Sequence, residues 1–166
     1  MSGPVSSGSR RFAFLLGLGA LLAACAPAAS PTSAAAEPLN AQGRLAYVKA
    51  LAWGSMQNFE AAYASQASND APYPDLDWSR DGCSAPPGLD LGYGEVFRPA
   101  CNIHDFGYRN LRVLERTPQN RETTDHAFYA DMQAICAALI WIKRPECSAA
   151  ALIYESGVRL GGTSHF

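Results

Sequence analysis

Apolar positions along the chain fall at helical steps and nowhere alternate as a half-buried strand would. In "LNAQGRLAYVKALAWGSMQNFEAAYAS", Leu45, Val48, Leu51 or Ala52, and Met56 recur every three or four residues, and Phe59 and Tyr63 continue the stripe. The spacing predicts one amphipathic helix, packed through that stripe. "QASNDAPYPDLDWSRDGC" is dense in Asn, Asp, Pro and Gly and is expected to be loop. "SAPPGLDLGYGEVFRPA" is expected to be loop as well, because glycines and prolines interrupt every run. Helical spacing returns in "ACNIHDFGYRNLRVLE", with Ile103, Phe106, Tyr108, Leu111 and Leu114 apolar and Gly107 its only glycine. Thr117 then Pro118 is a helix start: a hydroxyl N-cap, a proline at the first helical position, and a pre-proline residue kept out of the helical region. That helix should run to about Leu139 and stop before Pro145. A last one, over "ECSAAALIYESGVRLGG", should end at Gly161 and Gly162. The expected fold is an all-α, small helical domain with an antiparallel helix pair.

The first residues read differently. Arg10 and Arg11 precede an apolar run from Phe12 to Ala24, long enough for a signal peptide and about a third too short to span a bilayer. The run ends in "LAAC", which resembles the lipobox of bacterial lipoproteins, so residues 1–24 are expected to be a lipoprotein-type signal peptide and Cys25 the lipidated residue. A signal peptidase site of A-x-A type, with an incidental cysteine, is the alternative. "SRR" weakly resembles a twin-arginine signal. The Pro/Ala/Ser/Thr tract that follows has no apolar periodicity, so residues 25–38 are expected to be a tether and residues 39–166 the folded domain. An exported protein anchored to the bacterial cell envelope through Cys25, or otherwise secreted, is the resulting expectation.

A chain of 166 residues suits one such domain. Without the leader arginines, the 13 basic residues fall to 11 against 15 acidic ones, which leaves no basic excess for a nucleic acid. A monomer is expected. Beyond Cys25 there are four cysteines, Cys83, Cys101, Cys136 and Cys147, an even number in an exported domain. Of three possible connectivities, Cys83–Cys101 and Cys136–Cys147 are favoured because each closes a short loop. No pair has the C-x-x-C spacing of a zinc site.

Chemistry concentrates in "CNIHDFGY". On a helix Cys101, His104, Asp105 and Tyr108 share one face, and Asp125, Phe128, Tyr129, Met132 and Cys136 share one face of the next helix. If the turn lies near Glu115–Arg116, His104 and Asp125 stand roughly 15 and 12 Å from it at 1.5 Å per residue, level enough to meet. A carboxylate holding one imidazole nitrogen leaves the other free to act as a base. Asp105 then needs another counter-charge. A Cys83–Cys101 bridge would bring Asp81 near it, and two carboxylates with loop carbonyls suit calcium better than zinc. A packed histidine satisfied by Asp125, with Asp105 in a surface ion pair, accounts for the same residues.

The C-x-x-H-D-x-x-Y pattern of "CNIHDFGY" resembles the active-site helix of secreted phospholipase A₂ enzymes. "LDWSRDGC" before it and "TDHAFYADMQAIC" after it resemble the prokaryotic and fungal branch, over about Ala50 to Gly161. The resemblance implies His104 as general base toward a water attacking an sn-2 ester, and Asp125 as its orienting partner, with Tyr108 helping to fix that carboxylate. It implies Ca²⁺ held by Asp81, Asp105 and the Gly82 backbone carbonyl, and a glycerophospholipid substrate at a membrane or micelle interface. A catalytically silent calcium- and lipid-binding protein of that fold, or a structural envelope lipoprotein, are the alternatives. The glycine-rich calcium loop and adjacent cysteines of the animal enzymes are missing, and no G-x-S-x-G elbow is present. Leu89, Leu91, Tyr93, Val96 and Phe97 either rim an acyl slot or touch a membrane, or else sit in the core.

Overall fold

A computed structural model of the chain describes residues 36–84 and 91–166. The signal peptide, Cys25 and most of the tether lie outside the described residues, as does Leu89. Among the described residues there are five α-helices and no strand: α1 (Ala36–Ala52), α2 (Met56–Ala67), α3 (Gly94–Leu114), α4 (Pro118–Ala138) and α5 (Arg144–Gly161), with 3₁₀ turns at Trp141–Lys143 and Gly162–Ser164. The first helix begins at Ala36, inside the stretch expected to be tether.

The single helix expected from Leu39 to Ser65 is two. Gly54 sits so close under the Ala50 carbonyl that a Cβ there would collide with it. Ser55 is extended and accepts the Asn58 N–H, capping a new start. The apolar stripe survives the break: Val48, Leu51, Ala52 and Phe59 are buried, with Leu45, Met56 and Tyr63 packed on them.

The expected loop before Cys101 is also corrected, because its last seven residues, Gly94 to Ala100, are already helical. Tyr93 and Phe97 are buried and stacked at 5.4 Å, which fixes the first turn. Pro99, inside the helix, removes only the hydrogen bond its N–H would have made to Glu95. Tyr93 and Phe97 are therefore core residues, while Leu91 is exposed.

α3 is the centre of the molecule. One side packs with α1, α2 and the Leu76–Trp78 segment through Ile103, Phe106 and Leu111. The other packs with α4 and α5 through Phe97, Ala100 and Cys101. The hairpin forms where the sequence places it. Glu115 caps α3, Thr117 accepts the Asn120 N–H at 3.1 Å, and buried Asn120 donates back to the Glu115 carbonyl at 2.7 Å. Gly107 permits the close approach of three helices: a Cβ there would lie 2.8 Å from Thr124 Cγ2 and 3.0 Å from Ala52 Cβ. Both expected disulfides, Cys83–Cys101 and Cys136–Cys147, are formed.

Candidate active site

The hairpin brings His104 of α3 level with Asp125 of α4. His104 Nε2 lies 3.0 Å from Asp125 Oδ1, and both side chains are buried. A neutral imidazole facing a carboxylate carries its proton on that nitrogen, so the lone pair resides on Nδ1. The ring is clamped between Tyr108 and Phe128, at centroid distances of 4.2 and 4.7 Å. Burial depresses the imidazole pKa, but the Asp105 and Asp125 carboxylates outweigh it, and the net direction is upward.

Asp125 is 1 % exposed and fully engaged. Its Oδ1 also accepts the Tyr108 hydroxyl at 2.6 Å, and its Oδ2 accepts Arg121 Nη1 at 3.1 Å. Three donors satisfy a carboxylate that would otherwise be costly to bury. Burial, and then the Asp125 hydrogen bond and charge, push the Tyr108 phenol well above its usual pKa, so it stays a donor. The sequence reading missed Arg121, although its i, i+4 spacing to Asp125 was the available signal.

Beside His104 in the same cleft stand Asp105, whose Oδ1 lies 3.9 Å from His104 Nδ1, and Asp81. Two buried asparagines of α3 hold the intervening loop onto the helix, and both escaped the sequence reading. Asn110 accepts the Asp77 N–H at 2.9 Å and donates to the Asp77 carbonyl at 3.0 Å. Asn102 accepts the Gly82 N–H at 3.2 Å. Gly82 takes φ +74°, a left-handed conformation natural to glycine, and a Cβ there would strike Arg98. The Cys83–Cys101 bridge closes the same loop.

Arg109 supplies the counter-charge that Asp105 needs. Its guanidinium reaches Asp81 Oδ1 at 2.5 Å, Asp105 Oδ2 at 3.4 Å and the Ser79 carbonyl at 2.7 Å. Burial raises the Asp105 pKa and the facing Asp81 carboxyl adds to that rise, whereas hydrogen bonds from Arg109 and then Asp105 lower Asp81. Two carboxylates converging over one guanidinium are a donor set that fits a hard divalent cation, with backbone oxygens completing it. Among the described residues no cluster of three or more His, Cys, Asp or Glu side chains could hold a metal, so such a site depends on those backbone oxygens.

These groups open onto one cleft of about 560 Å³. His104, Asp105, Asp81 and Gly82 line its polar end, and Phe128, Ile153 and Val158 its apolar wall. At Gly157 and Gly161, on the α5 side, a Cβ would meet nothing within 4 Å, so the missing side chains leave that wall open. Gly162 lets the end of α5 close over Tyr108, whose hydroxyl would lie 2.5 Å from a Cβ there. A buried histidine, oriented by a carboxylate at the polar end of a cleft with an apolar wall, is suited to activating a water beside a partly apolar substrate.

A family model described as prokaryotic phospholipase A2 matches residues 50–162, more than half of the chain. Among curated relatives, a secretory phospholipase A2 of Arthroderma benhamiae is 36% identical over 154 residues, covering 90% of this chain and 94% of that protein. A secretory phospholipase A2 of Beauveria bassiana is 38% identical over 88 residues, 52% of this chain and 44% of that protein. Conodipine-P3 of Conus purpurascens is 42% identical over 59 residues, 36% of this chain and 30% of that protein. The family match spans Asp81, His104, Asp105 and Asp125, and the chain belongs to the prokaryotic phospholipase A2 family.

Proposed function

We propose that this phospholipase A₂ is calcium-dependent, is exported, and hydrolyses the sn-2 ester of glycerophospholipids with a water activated by His104. The observation that supports this most is the buried His104–Asp125 pair, whose second imidazole nitrogen is left to a cleft that also holds Asp81 and Asp105. His104 Nδ1 takes the proton of the attacking water. Asp125 stabilises the resulting imidazolium through Nε2, and Tyr108 and Arg121 hold Asp125 in place. Phe128, Ile153 and Val158 offer an apolar wall to an acyl chain. Calcium, when bound by the Asp81 and Asp105 carboxylates and the Gly82 carbonyl, would supply the positive charge for the substrate phosphate and the developing oxyanion. Arg109 would yield its hold on the two carboxylates to that ion. Anchoring through Cys25 belongs to the same reading and would keep the domain near its substrate.

Two measurements test it. Phospholipids labelled separately on each acyl chain should release the sn-2 acid alone. Calorimetric titration with Ca²⁺ should show one site that weakens at least tenfold in D105N and in D81N. Release from sn-1, or unaltered calcium binding in both variants, would refute the assignment.

A further inference from the structure

The connection between α4 and α5 exposes three large apolar residues in a row. Ile140, Trp141 and Ile142 are 67%, 78% and 61% exposed, and no other run of three among the described residues is so exposed. They stand on a built tip. The Cys136–Cys147 disulfide ties the two helices together behind it, Trp141–Lys143 form a 3₁₀ turn, and Arg144 Nε donates to the Leu139 carbonyl at 2.9 Å. Exposed apolar groups this concentrated mark a binding surface. A tip already held in shape loses little conformational entropy on binding.

The chemistry selects the occupant. Three side chains offer roughly half of the ~800 Å² per partner that a stable protein interface buries, so a second protein is poorly served. A tryptophan flanked by isoleucines is the composition that settles at the boundary of headgroups and acyl chains. Lys143 and Arg144 follow directly and are exposed, Lys143 in a 3.5 Å contact to Glu146 and Arg144 bonded to the Leu139 carbonyl, in a chain whose net charge is −2. Basic residues beside an apolar tip suit anionic headgroups. We infer that Ile140, Trp141 and Ile142 form a membrane-docking tip that inserts into an anionic lipid surface, with Lys143 and Arg144 at headgroup level. This inference goes beyond the catalytic reading and does not need turnover.

The test uses the full chain without calcium, on anionic vesicles of ether-linked phospholipids, which carry no ester to cleave. Trp53 and Trp78 pack in the helical core, so Trp141 is the exposed reporter among the three tryptophans. Its emission should shift to the blue and be quenched by brominated acyl chains, and W141F should lose that response. In I140D/I142D, which keeps the reporter, the blue shift and the quenching should be lost with the helical circular dichroism unchanged. An anchor elsewhere in the chain cannot place Trp141 in lipid. Unchanged emission in bound protein, or an equal blue shift and quenching in I140D/I142D, would overturn the inference. So would a dimer in sedimentation that I140D/I142D dissociates, because a second copy would then be the occupant.

Discussion

Asp125 shows how much a single buried group organises. It is held by His104, Tyr108 and Arg121 at once, so replacing it disturbs both a charge and three hydrogen bonds. D125N should lower kcat/KM by about 10²–10⁴-fold, the range of a lost acid–base arrangement, while the protein still folds. Y108F removes one donor and leaves two. It should destabilise by about 1–2 kcal/mol in denaturant titration and reduce kcat/KM far less than D125N does. Asp131 makes a separate prediction. Burial raises its pKa to about 6, above the ordinary carboxylate value, so the folded state holds the proton more tightly than the unfolded one. Its contribution therefore turns unfavourable as pH rises from about 4 through about 6 and stays so above. D131N should be more stable than the parent at pH 7, by up to about 1 kcal/mol after screening by solvent, and the difference should vanish near pH 4. Thermal melts at the two pH values check it. At this scale His104, Asp105 and Asp125 were legible from spacing. Arg109 and Arg121 were not, because a long cation at i, i+4 to an acid usually marks a solvated helix face and only packing shows it turned inward.

Helices carry the next layer. The Thr117–Pro118 start and the rise of a helix were enough to anticipate that α3 and α4 would set His104 against Asp125, and the hairpin has that form. The boundaries of α1 and α3 were harder. Gly54 breaks the first helix through a contact with its own preceding turn, and Tyr93 with Phe97 starts α3 early despite Pro99. The first break is local, at a poor helix former; at the second, tertiary packing overrides local propensity. The glycines of α5 have the converse meaning: Gly157 is helical, faces the cleft and leaves space where a Cβ would stand. G157A should stabilise the helix by about 0.5–1 kcal/mol with activity kept. G157L should keep the fold but narrow the cleft, lowering turnover of long-chain substrates several-fold more than that of short-chain ones. Equal loss on both would place Gly157 away from the acyl path.

The whole molecule is organised around α3, which shares one core with α1 and α2 and the other with α4 and α5, and carries the site between them. The loop bearing Asp81 and Gly82 is fastened to that helix by Asn102, Asn110 and a disulfide, so the two carboxylates meet without a long loop of their own. The cysteine pairing was readable because each pair is close in sequence; the asparagine clamps were not, since a buried amide has no signature in a sequence. The central claim is that the His104 imidazole activates water beside a calcium-held ester. Fatty-acid release from phospholipid vesicles tests it most directly, with the parent protein and H104A compared in Ca²⁺ and in EGTA. The account predicts release by the parent in Ca²⁺, loss in EGTA with recovery on adding calcium, and release by folded H104A reduced at least 10²-fold. Release that persists in EGTA, or that H104A sustains at the parent rate, would contradict it.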